Sequence, residues 1–292
     1  MADIAVVGPG AIGCTVLAWL AQDARHRLAV VARSQLDGIE VQTPDGLLLA
    51  APQRLSQAVD LRGHDWVLVT TKAYDSALVA SSLAGLAGSE TKLAILQNGV
   101  EHLARFEAHF PPEQLLPVMV DIPAARTAPG RVTQHRRGRM CVPQGALGAR
   151  FAELFAHTAI DVSQPSDFKT EVWKKLCVNA AGAFSAVLQR PAVIARHPGV
   201  AVLMGQLISE AIAVGRAEGA VIDDSLVASI VEGCRANPAG INSMHADRVA
   251  GRAMEIDARN GVVVRLGRKH GITTPTNEMV VALLEASLLE VD

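Results

Sequence analysis

Residues 4–13 of the chain are IAVVGPGAIG, an apolar run that passes directly into three spaced glycines. Apolar residues at helical spacing follow in 14–22, and a second apolar run covers 28–32. This succession predicts a strand, a tight turn, a helix and a second strand, the order found in a dinucleotide-binding βαβ unit. Because a helix N-terminus favours anions, the expected pyrophosphate-binding residues are Gly8, Pro9, Gly10, Ala11, Ile12 and Gly13. A glycine-rich turn that binds no ligand is the alternative.

The end of the second predicted strand distinguishes between the two nicotinamide dinucleotides. Sites selective for NAD place Asp or Glu there to bind the ribose 2′-hydroxyl, whereas this chain has Arg33 followed by Ser34. A guanidinium pairs well with a phosphate, and a hydroxyl can add a donor. We therefore predict NADP (NADPH) as the cofactor. The alternative is an exposed arginine without a ligand.

Length and periodicity predict two domains. The 292 residues are 50% hydrophobic, which is enough for two sizeable cores. The predicted fold class is α/β, with a Rossmann-type dinucleotide-binding domain in 1–165 and an all-α domain in 166–292. Short apolar runs between 116 and 142 are expected to finish the sheet of the first domain as partly antiparallel strands. The predicted helices of the second domain are 168–188, 200–218, 224–234 and 255–270.

Charge and cysteine content argue against several function classes. A net charge of −2 gives no general electrostatic attraction for nucleic acid or an anionic membrane, so a small molecule is the expected partner. The four cysteines lack metal-ligand spacing, which predicts no metal site and a reducing compartment. No apolar run approaches the length of a membrane span and no basic leader begins the chain, so a cytoplasmic location is expected. The expected assembly is a homodimer, the commonest closed oligomer.

Polar residues follow two further apolar runs of the first domain. Lys72 comes after 66–70, and Asn98 comes after 93–96. Ligands of an open α/β sheet bind beyond the carboxyl ends of its strands. Lys72 would neutralise cofactor or substrate charge there, and Asn98 would bind the nicotinamide ribose or the substrate carbonyl. Ordinary loop polarity and a helix cap are the alternatives.

Two segments of the second domain place polar groups together. Lys175 and Asn179 are four residues apart and share one face of a predicted helix. Ser243 and Glu255 offer a hydroxyl and a carboxylate near a predicted helix start. The structural alternatives are a lysine on a solvated face, a serine near an N-cap and a glutamate that complements the helix dipole.

Several separated motifs occur in an order that resembles the ketopantoate reductase family. They are the glycine motif at 8–13, Arg33, Thr71-Lys72-Ala73-Tyr74, Gln97-Asn98-Gly99, Trp173-Lys174-Lys175-Leu176 with Asn179, Asn242-Ser243-Met244, and Glu255-Ile256-Asp257 with Asn260-Gly261. The resemblance covers nearly the whole chain. It implies NADPH-dependent reduction of a 2-keto acid, 2-dehydropantoate (ketopantoate), to pantoate in pantothenate and coenzyme A biosynthesis. It also implies a C-terminal domain like that of 6-phosphogluconate dehydrogenase.

The resemblance also implies roles for individual residues. Lys175 matches the proton donor of the family, and Glu255 matches a residue of the active-site cleft that holds either the lysine or the cofactor. The residues implied to bind substrate are Asn179, Ser243, Asn98 and Lys72. Those implied to lie at the cofactor, besides the glycine motif and Arg33, are Lys72, Asn98, Ala124 and Glu255.

Two positions depart from the family pattern. Ala183 and Val193 stand where the family has substrate-binding asparagines. Losing two amides predicts a more apolar pocket, so a related keto acid with a hydrophobic tail is an alternative substrate. An NADP-binding sensor with little catalysis is a second alternative. A third, weaker one is a dehydrogenase of the 3-hydroxyacid or glycerol-phosphate type.

Overall fold

The structure is a computed structural model that describes residues 1–33, 36–56 and 58–289; Ser34, which we expected to assist Arg33, lies outside them. The chain divides into two compact units. The N-terminal unit comprises 1–97 and 101–168, and the C-terminal unit comprises 98–100 and 169–292. The sequence-based division at 165 stays a prediction, and it did not anticipate that the segment 98–100 belongs to the second unit.

The N-terminal unit combines strands with a few α-helices, and helices follow in the C-terminal unit. The strands are β1 Ala2–Val7, β2 His26–Val31, β3 Ile39–Thr43, β4 Gly46–Ala50, β5 Gln53–Leu55, β6 Trp66–Val69, β7 Lys92–Ile95, β8 Leu115–Pro117, β9 Met119–Asp121, β10 Ala124–Ala128, β11 Arg131–Gln134, β12 Arg139–Cys141 and β13 Asp161–Ser163. The helices are α1 Ala11–Leu20, α2 Ser76–Leu83, α3 Ala146–Leu154, α4 Phe168–Ala181, α5 Ala183–Leu188, α6 Pro198–Ala217, α7 Ser225–Ala236, α8 Ser243–Val249, α9 Val262–His270 and α10 Pro275–Ala286.

The main sheet of the N-terminal unit has six strands in the order β5-β2-β1-β6-β7-β8, and every neighbouring pair is parallel. The chain thus starts in the middle, winds outward on one side, and then crosses β1 to build the other side. This is the doubly wound order of a dinucleotide-binding sheet, whose switch point lies between β1 and β6. The predicted Rossmann-type domain is confirmed.

Burial on both faces explains why these strands are continuous apolar runs. In β1, Ile4 and Val6 pack into one hydrophobic cluster with α1, whereas Ala5 and Val7 pack into a second cluster with α2. A strand covered on both sides by helices needs apolar residues at every position. The sequence pattern of β1 follows directly from this requirement.

The prediction that the strands after residue 110 finish this sheet is correct only for β8. The others form two further sheets, β10-β11-β3-β4 and β13-β12-β9. The first includes the hairpin of β3 and β4, which we did not predict, and it covers the outer side of α1. There Trp19 Nε1 donates to Gln134 Oε1 at 2.8 Å. The helix is therefore buried between two sheets.

The described residues of the C-terminal unit form helices and the loops that connect them, with no strand, as predicted. Its core contains Trp173 of α4, Leu207 and Ile208 of α6, and Val263 of α9. Two helices that periodicity did not predict, α8 and α10, complete the bundle. The predicted helix over 255–270 begins instead with a π-helical turn, Asp257–Gly261, that leads into α9.

The predicted helix 168–188 is interrupted, because α4 ends at Ala181 and α5 begins at Ala183. The Gly182 N–H reaches back to the Asn179 carbonyl at 3.2 Å, and the Asn242 side chain donates to the Gly182 carbonyl at 3.0 Å. A side chain from elsewhere in the bundle therefore takes a carbonyl that would otherwise accept from the next turn. Tertiary contacts decide this break.

Helix α6, Pro198–Ala217, is long and apolar enough to cross a membrane by length and composition alone. It is weak evidence for a membrane span, because core helices of globular proteins meet the same criterion. Leu207, Ile208 and Ala211 of this helix are fully buried in the hydrophobic core of the bundle.

Candidate active site

The glycine motif forms the turn between β1 and α1. Gly8 has a φ of +96°, which glycine adopts without strain. A Cβ at Gly13 would lie 2.4 Å from the Gly8 carbonyl oxygen, so helix and turn pack too closely for a side chain. A Cβ at Gly10, in contrast, would meet nothing within 4 Å. The turn is closed toward the protein at position 13 and open at position 10.

This arrangement fits the pyrophosphate of a dinucleotide. Gly10 is the N-cap of α1, no side chain caps the helix, and its first turn carries no acidic residue. The first N–H groups of the helix thus point toward the open side of the turn, where an anion would accept from them. Pro9, Ala11 and Ile12 complete the turn and the first helical residues.

Arg33 follows β2 at the carboxyl end of the sheet. Its side chain is 89% exposed, and Nη2 lies 3.6 Å from Oδ2 of Asp75, a loose ion pair that leaves most of the guanidinium accessible. A side chain in this position can rotate to meet a phosphate. The same Asp75 would compete with that phosphate for the guanidinium.

Lys72 and Ala124 also belong to the N-terminal unit. Lys72 stands between the end of β6 and a short 3-10 turn, Ala73–Asp75. Next to it, Thr71 Oγ1 accepts from Gln97 Nε2 at 3.2 Å, which joins the ends of β6 and β7. Ala124 begins β10, where it pairs with Gln134.

In the C-terminal unit, α4 carries Lys175 and Asn179 one turn apart, as predicted. Both are half-buried, whereas Leu176 and Cys177 between them are fully buried in the core. The buried residues fix the rotation of α4. The helix thus holds a cation and an amide on one face.

Three of the predicted residues form a hydrogen-bonded chain within this unit. Asn98 Nδ2 donates to Glu255 Oε2 at 2.8 Å, and Asn179 Nδ2 donates to Asn98 Oδ1 at 3.2 Å. A carboxylate can only accept, so Glu255 fixes the orientation of the Asn98 amide, and Asn98 in turn fixes that of Asn179. Glu255 is 5% exposed and lies just before the π-helical turn.

The hydrogen bonds from Asn179 to Asn98 and from Asn98 to Glu255 give Glu255 a role that we did not predict. That Glu255 holds either Lys175 or the cofactor stays a prediction, and the structure adds that it orients two amides. The segment 98–100 belongs to the C-terminal unit, which brings Asn98 to Glu255 even though the two residues are distant in sequence.

Ser243 is the first residue of α8 and is exposed. The preceding residue, Asn242, is the N-cap, and its Oδ1 accepts from the N–H groups of Met244 and His245 at 3.1 Å each. Because the cap is supplied by Asn242, the Ser243 hydroxyl is not needed to cap the helix. It remains available for other contacts.

Sequence reasoning missed one polar residue of this region, Arg259. It lies in the π-helical turn, is 1% exposed, and donates through Nη2 to the Asn179 carbonyl and through Nη1 to Ser243 Oγ. Its position four places after Glu255, between Ala258 and Asn260, gave only a weak signal. An arginine on a surface helix would show the same local pattern.

No metal centre is found among residues 1–33, 36–56 and 58–289, where no three His, Cys, Asp or Glu side chains are grouped as potential ligands. The four cysteines are free thiols, and three are buried. Burial raises the pKa of Cys14 to about 11 and that of Cys177 to about 12. These thiols are core residues rather than nucleophiles.

Comparison with known proteins agrees with this arrangement over both units. The family model described as "Ketopantoate reductase PanE/ApbA" matches residues 4–147, and the model of its C-terminal part matches residues 167–287. The chain belongs to the ketopantoate reductase family. This match confirms the resemblance seen in the sequence motifs. Members of this family are oxidoreductases that depend on a nicotinamide cofactor.

Individual relatives extend the match to the full length. A 2-dehydropantoate 2-reductase from Caulobacter vibrioides is 51% identical over 290 residues, covering 99% of this chain and 100% of that protein. One from Mycobacterium tuberculosis is 34% identical over 287 residues, covering 97% of each. A crystal structure of a family ketopantoate reductase from Ralstonia eutropha superimposes with a TM-score of 0.90 at 28% identity, covering 98% of each chain.

Proposed function

We propose that this protein reduces 2-dehydropantoate to pantoate with NADPH, a step of pantothenate and coenzyme A biosynthesis. The observation that carries the proposal is the arrangement on the C-terminal unit. There Lys175 stands one turn before Asn179, whose amide is oriented through Asn98 by the carboxylate of Glu255. The names of the full-length relatives support the choice of substrate.

Lys175 is the proposed proton donor. NADPH, when bound, supplies a hydride to the keto carbon, and negative charge then develops on the former carbonyl oxygen. The ammonium of Lys175 stabilises this oxygen and transfers a proton to it, which yields the 2-hydroxy acid; water then restores the lysine proton. A positioned acid of this kind contributes roughly 10²- to 10⁴-fold in rate.

Asn179 and Ser243 are the proposed substrate-positioning groups. Because Asn179 Nδ2 already donates to Asn98, the amide is held in one orientation and offers its oxygen to a substrate hydroxyl. Ser243 is exposed and offers a hydroxyl to the substrate carboxylate. Lys72, in the N-terminal unit, adds positive charge for an anionic substrate or cofactor.

The preference for NADPH over NADH is proposed to depend on Arg33. Its exposed guanidinium suits a 2′-phosphate, whereas an NAD-selective site would have a carboxylate at this point. The test is Arg33→Ala, with KM measured for both cofactors. We expect the NADPH KM to rise about 10-fold, the size of one charge-assisted hydrogen bond, with the NADH KM unchanged. Equal use of the two cofactors by the wild-type protein would contradict this assignment.

A second candidate substrate is a 2-keto acid with a branched apolar tail. Ala183, which stands where the family has an asparagine, is fully buried, and Val193 is half-buried. These two positions favour an apolar tail. Against it, Arg259 places a buried polar group next to the same stretch of backbone.

The deciding experiment is the initial rate of NADPH oxidation with 2-dehydropantoate and with a panel of polar and branched apolar 2-keto acids. The proposed function predicts the highest kcat/KM for 2-dehydropantoate. A higher kcat/KM for an apolar keto acid would support the second candidate. Tight NADPH binding without turnover of any substrate would support the sensor alternative.

A homodimer and a cytoplasmic location belong to the same proposal. Exposed apolar side chains of the C-terminal unit, among them Val202, Ile241 and Leu283, offer surface for subunit contact. Light scattering coupled to size-exclusion chromatography tests the dimer. A mass of one chain would contradict it.

A further inference from the structure

Arg259 is a buried cation within the C-terminal unit, and no motif that we identified includes it. Its side chain is 1% exposed, and it is among the largest fully buried side chains of the chain. Both of its side-chain hydrogen bonds go to neutral oxygens, the Asn179 carbonyl and Ser243 Oγ. Both residues that it contacts are proposed to position substrate.

The guanidinium has no anion in direct contact among the described residues. No carboxylate of the described chain forms an ion pair with it, and its Nε is buried without a hydrogen-bond partner. Burial lowers the pKa of Arg259 to about 10, and the charges of Glu255 and Asp247 oppose this shift. The side chain is thus still charged at neutral pH, although burying a cation without a contacting anion is costly.

The guanidinium also lies beside the position where the family pattern has an amide and this chain has Ala183. A Cβ built on Gly182 would lie 3.0 Å from Arg259 Nη2, so the guanidinium lies close to the backbone just before Ala183. Arg259 therefore adds donors and charge where the chain has lost an asparagine. The site is less apolar than Ala183 and Val193 alone predict.

We propose that Arg259 is a positioning residue for the substrate carboxylate: from beneath the exposed Ser243 it supplies positive charge and directs the Ser243 hydroxyl toward that carboxylate. The proposal rests on the proposed function. An arginine can only donate, so Nη1, 3.4 Å from Ser243 Oγ, uses a lone pair of the hydroxyl. The hydroxyl hydrogen is then directed elsewhere, and a carboxylate can accept it. Through Nη2, the same guanidinium holds the Asn179 carbonyl.

The test compares the keto acid with its primary carboxamide, in which the carboxylate is replaced by a neutral group. KM and kcat are measured for both at saturating NADPH in the wild-type protein and in Arg259→Met, which keeps the length of the side chain and removes its charge. We expect the KM of the keto acid to rise about 10- to 100-fold, the effect of losing the charged hydrogen bond from the Ser243 hydroxyl to the carboxylate, and that of the carboxamide by less than about 3-fold. The value of kcat should change less than KM.

Three further variants keep the test decisive. Arg259→Lys retains the charge and should recover part of the keto-acid KM, even if Arg259→Met folds poorly. Arg265→Met, from the same helical segment, removes an exposed arginine that pairs with Asp257 at 2.8 Å, and should leave both KM values unchanged.

In a double-mutant cycle, Ser243→Ala should raise the keto-acid KM in the wild type and have little further effect in Arg259→Met.

The outcomes separate the two proposals. Equal KM increases for the keto acid and the carboxamide, or additive effects in the cycle, would show that Arg259 only stabilises the fold and would overturn this inference alone. If the wild-type protein does not turn over 2-dehydropantoate, both the proposed function and this inference are wrong.

Discussion

Two glycines of the same turn are expected to respond differently to replacement by alanine: Gly13→Ala should lower the stability of the fold, and Gly10→Ala should lower the affinity for NADPH. In Gly13→Ala the new Cβ would lie 2.4 Å from the Gly8 carbonyl oxygen and 2.5 Å from Thr70 Oγ1. Thr70 Oγ1 itself donates to that carbonyl at 2.7 Å. The backbone at Gly8 and the hydrogen bond from Thr70 must therefore both shift to make room for the methyl group. We expect a loss of about 1–3 kcal/mol, the usual cost of overpacking, after the gain in helix propensity is subtracted.

Gly10→Ala should leave the protein itself almost unchanged. A Cβ there meets nothing within 4 Å, and the backbone angles of Gly10, φ −79° and ψ −161°, suit alanine. The loss of a good N-cap residue and the gain from a less flexible unfolded chain are each below about 1 kcal/mol and have opposite signs. The methyl group would instead occupy the space of the pyrophosphate. We expect NADPH affinity to fall about 10- to 100-fold through loss of charged hydrogen bonds.

The assay pairs thermal unfolding without nucleotide with fluorescence titration of NADPH. Gly13→Ala should lower Tm by about 2–12 °C, given 2–4 °C per kcal/mol for a chain of this size. Gly10→Ala should keep the wild-type Tm and lose affinity. If Gly10→Ala binds NADPH within about 3-fold of wild type, the pyrophosphate does not lie at this turn and the cofactor assignment is refuted.

Three further predictions concern the proton donor, a buried histidine and a helix terminus. Lys175→Ala should lower kcat about 10²- to 10⁴-fold with NADPH affinity unchanged, whereas the adjacent Lys174→Ala should keep wild-type rates; equal losses in stopped-flow NADPH oxidation would remove the proposed role. Burial lowers the pKa of His102 to about 4, so the unfolded chain binds its proton first and stability is lost as pH falls from 6.5 toward 4. His102→Gln should therefore remove about 3 kcal/mol of the difference between urea unfolding at pH 6.5 and at pH 4, and an unchanged difference would contradict this. Glu210 accepts from the N–H groups of Thr276 and Asn277 at 2.8 and 2.9 Å at the start of α10. Glu210→Ala should destabilise the fold by about 2–4 kcal/mol in urea unfolding, and a loss below about 0.5 kcal/mol would show that water replaces the carboxylate.

The parts of the fold that depend on local pattern were predictable. The run over 4–13 predicts β1, the turn and α1, because a strand buried on both faces must be apolar throughout and a pyrophosphate turn needs glycine. The helical period of the second half predicts α6 and α7 within a few residues and the start, though not the end, of α4. The motif order also predicts the family, since each motif places a particular chemical group at a particular strand or helix end.

The second and third sheets were not predicted, although β3 and β4 carried a signal. Residues 39–43 alternate between buried and exposed side chains, and Pro44, Asp45 and Gly46 are residue types typical of a tight turn. That pattern predicts a hairpin but does not indicate which other strands pair with it. The pairing of β3 with β11 joins residues far apart in the chain, and only the packing against α1 decides it.

The candidate site likewise has a part that the sequence determined and a part that only the tertiary structure decided. The sequence by itself determined which chemical groups are present: a glycine at position 10, Lys175 and Asn179 on one helical face, and a carboxylate at Glu255. Only the tertiary structure decided that Glu255 orients Asn98 and Asn179, and that Arg259 lies buried beneath Ser243. Helical and strand periods specify neighbours within one element. Contacts between residues distant in sequence depend on how the elements pack, which no local pattern records.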